Sequence, residues 1–208
     1  MNAEPIVQDD SEPAAAVRRK SAEDRRADIL AAATALIAET RSLPLNMQAI
    51  GKRIGASRAL VYAHFSDQSA LVEAVLAEQF ALIETAGLDD AIRVGDVAER
   101  GARGAELYLR HIVDHGPALH VILRDAPHGA SLPRGATRAR NRALRALAGS
   151  ARRDLRLSTE EAIVLVELVI AIPEELGRLT HSGDLMIDDA LTICERLVRS
   201  GIEALRPR

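Results

Sequence analysis

Residues 46–65 of the chain, NMQAIGKRIGASRALVYAHF, contain two short helix-forming stretches separated by a glycine. Asn46 can cap a first helix that carries Ile50 on its apolar face, and Ser57 can cap a second. Gly55 lies between them, where a tight turn needs a residue that tolerates a left-handed backbone. Helices of this length do not persist alone in water, so they must pack within a larger unit. The stretch therefore predicts two packed helices joined by a turn.

Longer helices are predicted on both sides of this pair. Ser21 and Asp24 match a capping box, and the apolar spacing that follows predicts a helix that ends near Thr40. After the pair, Ser66 or Asp67 can cap a fourth helix with a continuous apolar face. The four helices together predict one compact unit at the start of the chain.

The rest of the chain is also predicted to be helical. A Gly/Asp-rich segment at residues 87–90 predicts a break, and Pro173 predicts a kink or an early end in the helix that contains it. Helices are predicted at about 97–115, 117–126, 134–156, 158–180 and 185–204. No stretch shows the alternation typical of a strand. The predicted fold class is all-α, with an N-terminal three-helix helix-turn-helix domain followed by a C-terminal helical domain.

Positive charge is concentrated in the N-terminal part of the chain. The whole chain has 27 Lys and Arg against 30 Asp and Glu, yet residues 18–65 hold nine basic and four acidic side chains. We call this basic N-terminal part the head. A basic head on an otherwise acidic chain is expected where only the head must contact DNA phosphates. No apolar run approaches the ~20 residues that cross a bilayer, and the first residues lack a signal-peptide pattern. We therefore expect a cytoplasmic protein with double-stranded DNA as a partner and no membrane association.

A helix-turn-helix that binds DNA has three local requirements. Its first helix braces across the phosphate backbone, while its second places N-terminal side chains in the major groove. It needs a small residue at the turn, apolar residues between the helices and polar groups at the start of the second helix. The residues that meet these needs are Gly55, then Ile50, Ile54 and Val61, then Ser57 and Arg58. A plain helical hairpin fits the same pattern, so these residues alone leave both interpretations open.

Four segments of the chain resemble the N-terminal domain of the tetracycline-repressor (TetR) family. They are Arg26-Ala-Asp-Ile-Leu-Ala-Ala-Ala, Ile50-Gly-Lys-Arg-Ile-Gly-Ala-Ser, Leu60-Val-Tyr-Ala-His-Phe and Ala70-Leu-Val-Glu-Ala-Val. The resemblance covers about residues 25–80, and its most specific part is the ending Tyr62-x-His64-Phe65. It implies a ligand-responsive transcriptional regulator, usually a repressor, that binds a palindromic operator as a homodimer. No cofactor and no enzymatic activity are expected.

The resemblance also implies which residues contact DNA. At the start of the first helix of the pair, the residues expected near phosphates are Asn46, Met47 and Gln48. The residues expected to contact bases are Ser57, Arg58 and Ala59. Arg58 is the main candidate for recognising the DNA sequence, because a guanidinium can hydrogen-bond both O6 and N7 of guanine. Backbone contacts fall to Tyr62 and His64.

Two of these DNA-facing positions depart from the family pattern. Leu60 stands where a threonine or another small residue is common, and it offers only apolar contact, for example with a thymine methyl. Gln68 stands where a lysine is usual, so its phosphate contact would be uncharged and less sensitive to salt. A basic cluster near the start of the chain can supply the missing charge by following the DNA backbone or minor groove, and a solvated basic tail is an equally good interpretation of it. Its residues are Arg18, Arg19, Lys20, Arg25 and Arg26.

The resemblance divides the chain into three parts. Residues 1–20 contain prolines and acids without periodicity and are predicted to be a disordered tail. Residues 21–83 are predicted to form the DNA-binding domain, and residues 84–208 a helical domain for effector binding and dimerisation. The last two helices are long and aliphatic, and pairing with a twofold mate into a four-helix bundle would bury them. The only cysteine, Cys194, lies in this apolar region and is expected to be a core residue.

Histidines in the central helices allow two functional interpretations. By resemblance the effector pocket is built from these helices, with Tyr108, His111, His115 and Arg124 as its polar groups. Alternatively, His111 and His115 lie four residues apart with His120 nearby, a spacing that can chelate a metal in a helical metalloenzyme. That alternative lacks an evident further ligand and a carboxylate placed as a general base.

A third interpretation concerns the whole chain, which could be a helical adaptor whose helix-turn-helix no longer binds DNA.

Arginines are dense in the helix predicted over 134–156. Those that fall within about 80° of one helical face are Arg134, Arg138, Arg142, Arg145, Arg152 and Arg156. The expected role is the solvated face of an amphipathic helix, and a second anion-binding surface is the alternative.

Overall fold

The computed structural model describes residues 21–125 and 134–207, and these ranges contain helices and no strand. The helices in chain order are α1 (Ala22–Thr40), α2 (Met47–Arg53), α3 (Arg58–His64), α4 (Gln68–Thr85), α5 (Leu88–Ala91), α6 (Val97–His115), α7 (Ala118–Asp125), α8 (Arg134–Leu155), α9 (Thr159–Ser182) and α10 (Ile187–Glu203). The all-α prediction is confirmed. The predicted tail, residues 1–20, lies outside the described residues.

Short polar side chains begin the N-terminal helices at the predicted positions. Ser21 forms a capping box with Asp24 at the start of α1. Asn46 Oδ1 accepts hydrogen bonds from two backbone N–H groups in the first turn of α2, at 3.0 and 3.1 Å. Ser57 Oγ accepts one from the third residue of α3 at 3.2 Å. Asp67 caps α4, accepting at 2.8 Å. Each cap satisfies N–H groups that the helix itself leaves unpaired.

Two local predictions about helix boundaries hold only in part. The predicted break follows the end of α4 at Thr85, but residues 87–90 also begin the short helix α5, after Gly87 at a φ of 94°. Pro173 does not end α9 early, since the helix continues to Ser182, and the alternative effect, a kink, stays a prediction. Pro173 is buried, and beyond it a Cβ on Gly177 would lie 2.5 Å from Ile112 Cγ2. This close packing of α9 on α6 continues past the proline and offsets the hydrogen bond that proline removes.

The N-terminal core includes a helix from later in the chain. Buried residues of α1 to α4, such as Ile29, Ile50 and Val61, form one hydrophobic cluster. The same cluster contains the side chains of α7 that are buried, namely Ala118, Leu119, Val121 and Ile122. Helix α7 is therefore packed directly into the base of the helix-turn-helix unit.

A second core joins α6, α8, α9 and α10. Its fully buried side chains include Leu109 of α6, Ala162 of α9 and Cys194 of α10. Burial raises the pKa of the Cys194 thiol to about 11, so the group is uncharged at neutral pH. The expectation that Cys194 is a core residue is confirmed. Within the two described ranges, no helix is long and apolar enough to cross a bilayer.

Apolar side chains remain exposed on the last two helices. Large ones on α9 are Ile163, Val164 and Leu168, and on α10 Leu197 is 52% exposed. Further apolar residues of both helices line a groove between them, including Leu165, Ile172 and Ile202. An apolar surface of this kind is typical of an interaction site.

Candidate nucleic-acid interface and central cavity

The turn between α2 and α3 depends on two glycines. Gly51 O accepts hydrogen bonds from the N–H of Ala56 at 2.8 Å and of Ile54 at 3.2 Å. A Cβ on Gly51 would lie 2.8 Å from Ala56 O, so only glycine allows the backbone to approach this closely. Gly55 has a φ of 65°, in the left-handed region. The backbone of this turn fixes where α3 begins.

The apolar contacts between α2 and α3 leave the start of α3 on the surface. Ile50 and Val61 are fully buried, and Ile54 is partly buried against the same core. Side chains on the opposite face of α3 point to solvent, and these are Ser57, Arg58, Ala59 and Tyr62. Leu60, His64 and Gln68 are half-buried beside them. The turn and this packing present a short polar surface, Ser57 to Tyr62, which we call the α3 face.

Arg58 and Tyr62 interact with each other on the α3 face. Arg58 Nη2 donates to Tyr62 Oη at 3.3 Å, and its guanidinium carbon lies 5.3 Å from the centre of the Tyr62 ring. The pair is one helical turn apart, so both groups extend from the same side of α3. The guanidinium rests on the ring and has no acidic partner among the described residues, so its charge remains available to an anion.

The start of α2 presents two of its three predicted contact residues. Asn46 and Gln48 are exposed at the N-terminus of α2. The third, Met47, is 5% exposed and packs in the N-terminal core. The positive dipole end of a helix favours a phosphate at this point.

Other basic residues near the α3 face have intramolecular partners. Arg53, at the end of α2, pairs with Glu39 of α1 through two contacts, one of them 2.8 Å between Nη1 and Oε2. This hydrogen-bonded pairing lowers the pKa of Glu39 and raises the pKa of Arg53. Arg26 lies over the Phe65 ring, with its guanidinium carbon 4.3 Å from the ring centre. These contacts fasten α1 to the helix-turn-helix unit.

The N-terminal segment matches a known family. Residues 29–75 match the family model described as bacterial regulatory proteins, tetR family. The matched range includes the α2–α3 turn and the whole α3 face. Over these residues the chain is therefore similar to the N-terminal domain of the tetR family.

Solved structures of TetR-type regulators share the fold over most of the chain. A TetR-like transcriptional regulator from Rhodococcus sp. RHA1 has a TM-score of 0.67 at 19% identity, with 89% of this chain and 99% of that chain covered. The TetR-family regulator PfmR from Thermus thermophilus has a TM-score of 0.61 at 18% identity, with 90% and 96% covered.

A third similar structure is a single-residue variant of TetR from Acinetobacter baumannii AYE in complex with minocycline. Its TM-score is 0.54 at 16% identity, with 86% of this chain and 97% of that chain covered. A comparison with curated proteins gave no significant match. At these identities the similarity establishes the fold alone.

Helices α4 to α9 line a cavity of about 420 Å³ that is open on one side to solvent. Its walls are mostly apolar, with side chains such as Phe80, Ile92 and Leu123. Polar groups are few, as is typical of small-molecule sites. Of the residues predicted for an effector pocket, Tyr108 and Arg124 line this cavity. The other two, His111 and His115, are not among its lining residues.

A hydrogen-bonded cluster forms the polar part of the cavity wall. Tyr108 Oη donates to Glu174 Oε1 at 3.2 Å, and His120 Nδ1 lies 2.6 Å from the same oxygen. Burial, and then the Glu174 carboxylate, raise the pKa of Tyr108 well above its usual value, so the phenol is a neutral donor. The cluster joins α6, α7 and α9 at one point.

The histidine cluster considered for metal binding does not assemble. His111 and His115 are close, with ring centres 5.0 Å apart, but His120 is engaged with Glu174. Among residues 21–125 and 134–207, no group of three or more potential ligands could hold a metal ion. His111 is 4% exposed, and its Nε2 has no hydrogen-bond partner among them.

Protonation of His111 is expected to destabilise the chain below neutral pH. Burial, and then the neighbouring His115, lower the pKa of His111 to about 4. The ring titrates near pH 6.5 in an unfolded chain. The contribution of the neutral ring to the free energy of unfolding is therefore intact above pH 6.5 and is lost as the pH falls towards 4, by on the order of 3 kcal/mol in all and about 2 kcal/mol by pH 5.

Urea unfolding at pH 7.5 and pH 5 measures this loss. His111→Leu should make the free energy of unfolding less dependent on pH than in the wild type. The exposed His181→Gln variant should keep the wild-type dependence. Equal pH dependence in His111→Leu and the wild type would contradict the assignment.

Sequence reasoning missed Glu174 as a site residue. It lies 66 residues from its partner Tyr108, and no motif connects them. The one available signal was a carboxylate directly after Pro173 in an otherwise aliphatic helix. His120 was considered only as a metal ligand.

Proposed function

We propose that the chain is a ligand-responsive transcriptional repressor that binds a palindromic operator as a homodimer in the cytoplasm. The observation that carries this proposal is the exposed α3 face, with Ser57 and Arg58 at the start of the second helix of a TetR-type helix-turn-helix. In this geometry the first residues of the second helix reach base edges in the major groove.

The proposed contacts follow the exposure of the side chains. Ser57, Arg58 and Ala59 face bases, and Leu60 can contact a thymine methyl. Tyr62 and His64 contact the backbone, while Asn46, Gln48 and Gln68 approach phosphates. Since Met47 is buried, its part is to fix the start of α2 through the core.

The exposed aliphatic residues of α9 and α10 support the proposed dimer. Ile163, Val164, Leu168 and Leu197 are each more than half exposed in the single chain. A twofold mate that places its own α9 and α10 on this surface buries it in a four-helix bundle. Two heads arranged in this way meet successive major grooves about 34–36 Å apart.

The cavity supports a response to a small molecule. It lies among the helices between the head and the proposed dimer surface, and its lining is mainly apolar. The TetR variant from Acinetobacter baumannii, which shares the fold, was solved with minocycline. A ligand changes operator affinity only by as much as it prefers one arrangement of the helices. Here α7 is the connection, because it lines the cavity with His120 and packs Val121 and Ile122 into the N-terminal core.

Selection of bound duplexes from a random DNA pool by the full chain tests the proposal. We expect enrichment of one sequence that is twofold symmetric, with half-site centres about 10–10.5 base pairs apart. Binding should weaken steeply as salt rises, since phosphate contacts release counterions. Failure to enrich any sequence at low salt would contradict the proposal, and an enriched sequence without symmetry would contradict the dimer.

A further inference from the structure

The cavity wall carries a carboxylate whose hydrogen-bond partners, within the described part of the chain, are a phenol and an imidazole. Glu174 is paired with Tyr108 and His120, and no arginine or lysine of the described residues forms an ion pair with it. The side chain is only 20% exposed. A carboxylate in such surroundings loses hydration and gains most from a positively charged partner.

The other charged residues of the wall are already paired or lie in solvent. Arg100 forms an ion pair with Asp154 at 2.7 Å, while its buried Nε has no hydrogen-bond partner among the described residues. Glu167 and Arg124 are exposed. Among the described wall residues, Glu174 is therefore the carboxylate that a molecule inside the cavity meets away from bulk water.

The geometry leaves part of Glu174 open to a ligand. Tyr108 and His120 both contact Oε1, and no described residue donates to Oε2. A donor entering from the cavity can bond Oε2 directly or take the place of His120 on Oε1. The remaining wall is aliphatic and aromatic, so the rest of the ligand must be apolar.

We propose, building on the function proposed above, that the effector is an apolar amine, protonated at neutral pH, whose ammonium group binds Glu174. An ammonium has three donors and no acceptor, so it matches the carboxylate and not the Tyr108 hydroxyl proton. A carboxylic acid of the same shape would bring its negative charge close to the Glu174 carboxylate, and the two charges would repel each other. An alcohol would make only a neutral hydrogen bond, which is weaker than a charge-assisted one.

The same contact explains how the amine acts on the head. His120 belongs to α7, and its neighbours Val121 and Ile122 are buried in the N-terminal core. An ammonium that displaces His120 from Glu174 removes a direct contact between α7 and α9. Helix α7 is then free to shift relative to α9, and α1 and α4, which pack on it, shift with it.

Calorimetric titration of the full chain with decylamine, decanol and decanoate, below their micelle concentrations, tests the proposal. The three probes share one apolar chain and differ in charge. We expect the wild type to bind decylamine roughly 10- to 100-fold more tightly than the other two. Equal affinities, a preference for decanoate, or no measurable decylamine binding would each overturn the proposal, and this comparison needs no variant.

Three variants assign the preference to Glu174. Glu174→Gln should bind decylamine and decanol equally, while Tyr108→Phe should keep the preference because Glu174 remains. Glu175→Gln is the matched control, since this neighbouring exposed carboxylate pairs with Arg178 and is not part of the cavity wall. A Glu174→Gln protein that unfolds like the wild type and still prefers decylamine would also overturn the proposal.

Operator binding measured on the same samples separates this inference from the proposed function. If the wild type binds its operator but shows no preference for decylamine, only the proposal that the effector is an amine is refuted. A wild type that prefers decylamine but binds no duplex keeps the site and refutes the proposed repressor.

Discussion

Replacing Gly51 with alanine is expected to lower the free energy of unfolding by about 1–3 kcal/mol, the usual cost of an overpacked position. The new Cβ would lie 2.8 Å from Ala56 O and 3.2 Å from the carbonyl carbon of Ser57. Both are backbone atoms of the turn, so no flexible side chain can move aside. The turn must open, and this shifts the start of α3 relative to α2.

The same substitution should weaken operator binding. A displaced α3 no longer presents Ser57 and Arg58 in register with Asn46, so we expect affinity to fall at least about tenfold, equivalent to ~1.4 kcal/mol. Urea denaturation and duplex titration measure the two effects.

Gly149→Ala is the control for Gly51→Ala, because it also places a Cβ inside a helix. There the nearest atom is Nη1 of the flexible Arg153, at 3.6 Å. This control should gain about 0.5–1 kcal/mol of stability from the lower flexibility of alanine. A Gly51→Ala protein as stable as the wild type would show that the turn is not closely packed.

Features that depend on near neighbours in the chain were predictable from the sequence. The caps at Ser21, Asn46 and Ser57 require only a polar side chain and the next turn of backbone, so their positions followed from local pattern. The turn at Gly55 is equally local. The family resemblance adds the orientation of the helix pair, because it supplies the packing partners that the segment alone does not specify.

Features that depend on distant contacts were not predictable in the same way. Helix α7 was expected to lie in the C-terminal domain, but its side chains pack into the N-terminal core. The division at residue 83 stays a prediction about domains, and this packing shows that the two parts share a helix. Glu174 became a candidate only when α9 was placed beside Tyr108 and His120. Such a contact depends on how α6, α7 and α9 pack, which no local pattern specifies.

The arginine stripe predicted over 134–156 falls only in part on side chains that the structure describes. Arg145 and Arg152 are exposed, as expected for a solvated face. The side chains of Arg134, Arg138 and Arg142 lie outside the described residues. An anion-binding role for this stripe stays a prediction.

Loss of base discrimination is the expected result of replacing Arg58 with alanine. In the structure the Arg58 guanidinium is exposed and lies against Tyr62, with no acidic partner in the described ranges. Bidentate bonding to guanine O6 and N7 contributes about 1–3 kcal/mol of discrimination at each half-site. Arg110→Ala is the control, because it removes the same charge from an exposed site on α6, outside the matched residues 29–75. It should leave operator affinity close to that of the wild type.

A titration that combines this variant with altered DNA tests whether α3 reads bases through Arg58. Wild type and Arg58→Ala are titrated with the selected operator and with operators in which single guanines are replaced by 7-deazaguanine, which lacks N7. We expect one position in each half-site to weaken wild-type binding and to have no further effect on Arg58→Ala. If Arg58→Ala binds the operator as tightly as the wild type, or responds to every replacement as the wild type does, then α3 does not read DNA through Arg58.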